Sequence, residues 1–372
     1  MHPRLTLAMF ALLLCLSRPL AATNSANDPA DAPVIGKGGL SAPSPTGALG
    51  ASSPAVPASP ARPEDAPPRD SRYWPQGYFP GDPIPLKTVY LTFDDGPSDF
   101  TAQILDLLKE EGVRATFFLN SYDKDNPFHA DTGNNCLLRY SEVLRRMVDE
   151  GHVIGNHTYS HRDLAALSAG QVLFQLDTLE RQLAEVLGDK MPRIYLVRPP
   201  FGSPWLGNWN SQRQRAKVCS ELGNRGIVML WTTGWDSSDS VDWASGEWYE
   251  ASNARYHPGT QSYERKMQRE MERILKRADG NSGGVILMHD THPTSRDILK
   301  DLIEELKRRG YAFATLEDYC RWRWGPEVFA RFDAAARASR PTAGAAPPPP
   351  EPRQPEHDPQ ASPAPLPALT DR

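Results

Sequence analysis

Asp94 and Asp95 stand side by side in Thr92-Phe93-Asp94-Asp95-Gly96-Pro97, where the apolar run Val89-Tyr90-Leu91-Thr92-Phe93 stops. Two adjacent carboxylates at the exit of a buried strand are costly to keep ionised unless a cation or a proton is shared there. Asp-Asp-Gly-Pro is also good turn chemistry, so the doublet alone does not decide between turn and site. A second signal does: Gly155-Asn156-His157-Thr158-Tyr159-Ser160-His161 sets two histidines four residues apart, on one face if the segment turns helically after its strand. One carboxylate and two imidazoles make a three-ligand set that leaves room for water and substrate, as expected of a catalytic ion. The second aspartate is then free to act as a base on the water. His289, in Leu287-Met288-His289-Asp290, could protonate a leaving group if a nearby carboxylate keeps it charged. That chemistry is metal-assisted hydrolysis. Mixed nitrogen and oxygen ligands suit Zn2+ first, with Co2+ or Ni2+ as alternatives.

The elements that must position these groups are short apolar runs separated by amphipathic stretches, the pattern of a parallel sheet covered by helices. Seven runs are expected as strands: Lys87 to Phe93, Arg114 to Asn120, His152 to His157, Tyr195 to Pro200, Ile227 to Thr233, Val285 to Asp290 and Tyr311 to Leu316. Helices are expected around Ile104-Leu105-Leu107-Leu108 and Ile298-Leu299-Leu302-Ile303-Leu306, with Gly112 and Gly310 ending them. This suits a (β/α) barrel, with an open doubly wound sheet as the competing arrangement. Asp94, Asp95, His157, Arg198, the acidic residues after the fifth run, and His289 all fall at carboxyl ends of runs, the rim where barrel sites form. The stretch Ser121 to Leu138 is long for a connection and is expected to be a wet substrate loop, with His129 exposed on it. Of Trp205, Trp209, Trp235, Trp243 and Trp248, some are expected in the core and some against sugar rings.

Both ends differ from this middle. Residues 1–22 carry Arg4, the apolar stretch Leu5 to Leu16 and small residues at Ala21-Ala22, the order of a secretory signal. An uncleaved anchor is the alternative, although the apolar part falls short of the roughly 20 residues a span needs. Cys15 follows Leu12-Leu13-Leu14 rather than a small residue, which argues against lipidation. Residues 23–72 and 339–372 are rich in Pro, Ala and Ser and are expected to be disordered extensions. A net charge of −5 without a dense basic block favours neither nucleic acid nor an anionic membrane as partner. Cys136, Cys219 and Cys320 allow one disulfide plus a thiol, or three buried thiols.

On these residues the chain resembles the polysaccharide deacetylases of carbohydrate esterase family 4, with a NodB-homology catalytic domain over residues 85–320. The resemblance implies a distorted (β/α)7-type barrel and a single catalytic domain. It also implies removal of acetyl groups from N-acetylglucosamine units of an acetylated, extracytoplasmic polysaccharide such as peptidoglycan, a chitin-like polymer or a biofilm glycan. Asp94 would be the base, and Asp95, His157 and His161 the metal ligands. In Arg198-Pro199-Pro200-Phe201-Gly202, Arg198 would orient Asp94, and the backbone N–H of Phe201 would hold the oxyanion. The fourth motif admits two registers, Asp236-x-x-Asp239 and Asp239-x-x-Asp242-Trp243. The second keeps the family's tryptophan and is preferred, with Asp242 tuning His289; Trp243 and Leu287 would then wall a pocket for the acetyl methyl. An O-acetyl esterase acting on xylan and a non-catalytic glycan-binding protein are the rival readings.

Overall fold

The computed structural model describes residues 74–123, 126–129, 132–206, 212–239 and 258–333. Eight strands make one sheet in which every pairing is parallel: β1 (Gly77–Tyr78), β2 (Thr88–Asp94), β3 (Thr116–Leu119), β4 (Val153–Asn156), β5 (Leu196–Val197), β6 (Ile227–Met229), β7 (Gly284–His289) and β8 (Ala312–Phe313). All seven expected runs overlap a strand: β2 and β7 equal their runs in length but are shifted by one residue, the other five strands are shorter than theirs, and the dipeptide β1 adds an edge that the apolar pattern is too brief to signal. The order is β1-β6-β5-β4-β3-β2-β7, with β8 against the start of β2. Among the described residues no regular ladder forms between β6 and β7. The chain after β6 crosses that seam through a single parallel bridge, Asp236 to Leu287, flanked by hydrogen bonds from Thr232 N to Val285 O and from Leu287 N to Trp235 O. The architecture is therefore a parallel (β/α) barrel with one irregular side.

β2 pairs with β3, β7 and β8 and is buried beyond its first residue, which is why its sequence runs apolar without alternation. Seven helices cover the sheet: α1 (Thr101–Glu110), α2 (Ser141–Asp149), α3 (Ala169–Leu187), α4 (Gln212–Gly223), α5 (Gln261–Ala278), α6 (Pro293–Arg308) and α7 (Leu316–Trp324). The predicted apolar stripes of α1 and α6 face the core, where Ile104, Leu105, Leu108, Ile298, Leu299, Leu302, Ile303 and Leu306 are buried. Gly112 and Gly310 follow these helices with φ of 62° and 78°, the left-handed exit that glycine adopts without a Cβ penalty. Ser168 with Gln171 and Thr315 with Asp318 form capping boxes at the starts of α3 and α7. Tyr78, Phe79, Phe329 and Phe332 are buried, so the packed unit runs past both 85 and 320. Cys136, Cys219 and Cys320 are buried, and none of them joins a disulfide among the described residues. No helix among the described residues is long and apolar enough to cross a membrane.

Candidate active site

The carboxylate doublet closes β2 and divides there. Asp94 still lies in the ladder, paired with His289 of β7, so both side chains stand at one height on the rim. Asp95 turns into the left-handed region, φ 71°, a conformation aspartate tolerates better than most residues. Gly96 completes the turn against Asp290; a Cβ on it would lie 2.1 Å from Asp290 Oδ2. Arg198, at the end of β5, is completely buried and reaches across the barrel. Its Nη1 donates to Asp94 Oδ1 at 2.7 Å and to Thr92 Oγ1 at 2.7 Å, and its Nε donates to the Met229 carbonyl at 2.8 Å. The guanidinium lies 4.1 Å above the Phe118 ring. Phe118 has room to sit there because β4 carries Gly155 opposite it, where a Cβ would stand 2.4 Å from the ring. Asp94 thus has one oxygen fixed by Arg198, while Oδ2 faces His157 Nε2 at 3.8 Å.

Asp95, His157 and His161 bring one donor atom each to within 4.8 Å of one another. Asp95 Oδ1 is 3.3 Å from Nε2 of both histidines. The Arg198 carbonyl oxygen lies 2.7 Å from His157 Nδ1, and since a carbonyl can only accept, Nδ1 carries the proton and Nε2 keeps its lone pair for a ligand. His161 Nδ1 approaches Asp123 Oδ2 at 3.6 Å. The histidine pair does not converge by helical turning as the spacing suggested. Thr158 and His161 have φ of 74° and 51°, and the Asn156 side chain accepts from Thr158 N at 2.8 Å, so a kinked loop brings the two rings together. Positive φ at a β-branched threonine is rare strain of the kind that concentrates at functional sites. Burial opposes it, yet His161, His157 and His289 hold the Asp95 carboxyl well below the usual range. Burial lowers His157, but Asp94 and Asp95 outweigh it and raise the ring, whereas burial prevails at His161 and depresses it. One carboxylate and two imidazole nitrogens form a donor set whose charge and atom types fit a divalent cation.

Opposite them stands His289. Its Nδ1 is 2.7 Å from Asp239 Oδ1, its backbone N donates to Asp239 Oδ2 at 2.7 Å, and the Ser295 hydroxyl donates to the same oxygen. Asp239 is completely buried, and the Lys266 ammonium donates to its carbonyl at 2.7 Å. Burial alone would lower His289, but the Asp239 carboxylate, with Asp95 and Asp94 behind it, pushes the ring up to about 10. His289 Nε2 is left toward the ligand set, 3.8 Å from Asp95 Oδ2. The carboxylate described on His289 Nδ1 is Asp239. The bridge between Asp236 and Leu287 sets the seam so that residue 239 meets the backbone of His289, and the Nδ1 position is taken. Asp242 and Trp243 lie outside the described residues, as do Trp209 and Trp248.

Leu287 is buried two residues before His289, and Phe201 is 61% exposed with φ 61°, its ring 4.7 Å from that of His161. Trp205 and Trp235 are core residues. The stretch 121–138 departs from the wet loop expected of it, because Asn126, His129, Cys136 and Leu137 are buried and fold it against the back of Asp95. Asn126 Nδ2 donates to the Asp95 carbonyl at 3.1 Å, Asn120 Nδ2 to Asp95 Oδ1 at 3.4 Å, and His129 Nδ1 accepts from Asp123 N at 2.9 Å. Burial pushes His129 down to about 4, so it is a neutral brace. Asn120, Asp123, Asn126, Thr92 and Ser295 escape sequence reasoning since nothing in their local pattern distinguishes them from ordinary loop and strand residues.

A family profile described as polysaccharide deacetylase matches residues 82–225. The peptidoglycan-N-acetylmuramic acid deacetylase PdaA of Bacillus subtilis is 29% identical over 236 residues, 62% of this chain and 71% of that protein. A chitin deacetylase of Colletotrichum lindemuthianum is 30% identical over 229 residues, 61% of this chain and 77% of that protein. A peptidoglycan-N-acetylglucosamine deacetylase of Bacillus cereus is 31% identical over 230 residues, 61% of this chain and 68% of that protein.

Proposed function

The chain belongs to the polysaccharide deacetylases of carbohydrate esterase family 4, and on that premise we propose that it is a metal-dependent hydrolase removing acetyl groups from N-acetylglucosamine units of an extracytoplasmic glycan. One observation carries this reading. Asp94 and His289 stand in register on adjacent strands, each with one polar atom held by a buried partner and the other left toward the ligand set. That is the layout of a base and an acid placed on either side of one reacting bond.

When bound by Asp95, His157 and His161, a divalent cation polarises a carbonyl and lowers the pKa of water from about 16 to about 7. Zinc suits the one-oxygen, two-nitrogen set first, and cobalt or nickel are the alternatives. Asp94 takes the proton from the attacking water through Oδ2, while Arg198 keeps its other oxygen occupied and the carboxylate oriented. The Phe201 N–H donates to the oxygen that gains charge. His289, charged because Asp239 holds it so, delivers a proton from Nε2 to the departing amine. Leu287 walls the space for the acetyl methyl. The charge, apolar stretch and small residues of residues 1–22 support export, with the periplasm or cell envelope as the place of action.

The test is acetate release from chitooligosaccharide, peptidoglycan and acetylxylan, each with and without a chelator. Chelator-sensitive release from the first two supports the proposal. Release from acetylxylan alone points to the O-acetyl esterase, and glycan binding with no release under zinc, cobalt or nickel to a non-catalytic protein.

A further inference from the structure

On the outer side of the 234–239 segment lies a half-open pocket of about 610 Å³, lined by Gly234, Asp236, Ser238, Arg273, Lys276 and Arg277. Three cations and one carboxylate face it. Several exposed cations elsewhere are matched instead: Lys300 with Glu110, Lys307 with Glu111, Arg146 with Asp106, Arg321 with Glu317, and Arg309 with Asp279 and Glu305. Lys276 and Arg277 have no ion-pair partner among the described residues, while Arg273 donates to Ser238 Oγ at 2.7 Å and lies close enough to Asp236 to favour its carboxylate. Two cations in the last turn of α5 complement the helix dipole, which accounts for their presence there. It does not account for Arg273 one turn earlier, nor for the seat of Arg277. That guanidinium lies against the backbone of Gly234, φ 82°, where a Cβ would stand 2.2 Å from Arg277 Nε, so only glycine leaves it this position. Asp236 offsets only part of this charge: Arg273 favours its carboxylate and its Oδ1 accepts from Ser238 N at 2.7 Å, which leaves three cations facing one carboxylate.

We propose that this pocket binds an anionic substituent, a carboxylate or phosphate, carried on the glycan strand, a reading that rests on the deacetylase function proposed above. Guanidinium groups suit such oxygens because their donors match the two acceptor atoms of a carboxylate or phosphate edge. The place fits as well. Ser238, held by Arg273, directly precedes Asp239, so a sugar unit anchored in the pocket would lie one turn of chain from the residue that holds His289. The preferred substrate would then be an acidic glycan, and a neutral polymer would reach the catalytic residues without this anchor.

The experiment compares the full chain with its Lys276→Gln/Arg277→Gln variant, both exposed positions away from the catalytic groups. The probes are an oligosaccharide alternating N-acetylglucosamine with carboxylate-bearing N-acetylmuramic acid, and a chitin oligomer of equal length. Affinity is measured by titration calorimetry and KM by acetate release. The expected result is an affinity loss on the order of tenfold for the acidic oligomer only, shrinking as salt is raised, with the chitin oligomer unaffected. Equal behaviour of the two oligomers in both proteins would overturn the proposal. So would inorganic phosphate binding that the variant loses while oligomer affinity stays constant, which would mark a site for a free anion. If the full chain releases no acetate from either oligomer, the deacetylase reading fails by itself, and the calorimetric difference still decides the pocket.

Discussion

The site is carried by two unlike regions of the barrel. Asp94 and His289 lie on β2 and β7, in a ladder of six paired positions from Val89–Gly284 to Asp94–His289, and Arg198 follows β5, which is paired to β4 and β6. The carboxylate behind His289 comes instead from the seam, where one bridge replaces a ladder. A ladder fixes the height and direction of each side chain through many hydrogen bonds, because a slip of one residue would turn the whole buried face outward. A single bridge fixes only its own pair. On the ladder side, residues at the ends of apolar runs can be assigned from sequence, whereas on the seam the residue facing His289 depends on local turns that the apolar pattern does not encode.

The largest expected effect tests the ladder side. Asp94→Asn keeps the shape and the Arg198 contact but removes the base, and acetate release should fall by about 10³-fold while metal content, measured by elemental analysis, is retained. Full activity in this variant would break the assignment. The seam side is tested by a pair. Asp239→Asn should cost about 10²-fold, since the histidine loses both its charge partner and its orientation, whereas Asp242→Asn should change the rate by less than about threefold. The reverse order would restore the Asp239-x-x-Asp242 register and remove the seam from the catalytic account.

The pH dependence sharpens the same contrast. An acid acts only while protonated, so activity is lost as pH rises through the pKa of His289, pushed up to about 10. A cation on Asp95 withdraws that residue's share of the shift and leaves Asp239 as its main source. In Asp239→Asn the alkaline fall should therefore move down toward the ordinary histidine value of about 6.5. Linkage gives the stability counterpart. A ring whose pKa is higher folded than unfolded contributes stability that is complete below about 6.5 and lost as pH climbs toward its folded value. Unfolding midpoints of the wild type should accordingly drop across that window, and those of the variant should be flatter.

Much of this was legible in the amino-acid order because burial and chemistry left separate marks. Val89 to Phe93 announces a two-sided buried strand, and the carboxylates, the histidine pair and Arg198 interrupt such runs at one end, so both barrel and rim could be read. The helical route to His161 could not. The four-residue spacing is met by a loop with positive φ at Thr158, and φ is invisible in a side-chain pattern. His129 and the stretch around it read as a wet loop because their polar side chains find partners only after folding, on the backbone of Asp123 and Asp95. The seam resisted reading for a related reason: two registers fit the motif there, and only the bridge at Asp236 shows Asp239 reaching the histidine.

The smallest expected effect lies under the ladder side and measures how rigidly it is held. Gly155 faces Phe118, Phe118 carries the Arg198 guanidinium, and Arg198 fixes Asp94, so a methyl group at residue 155 acts on the base through three contacts. The added Cβ would sit 2.4 Å from a ring that β3 pins between β2 and β4, and no flexible chain end is available to move aside. Gly155→Ala should destabilise the fold by about 1–3 kcal/mol, the usual cost of overpacking a core, read as a lowered denaturation midpoint. The ring can relieve the clash only by shifting toward the guanidinium, so kcat should fall several-fold while KM stays nearly constant. The matching change on the seam, Ser238→Ala, removes one exposed hydrogen bond to Arg273 and should leave both stability and kcat within about twofold. If Gly155→Ala were as mild as Ser238→Ala, Asp94 would be held by its own strand alone and the buried arginine would be incidental to its orientation.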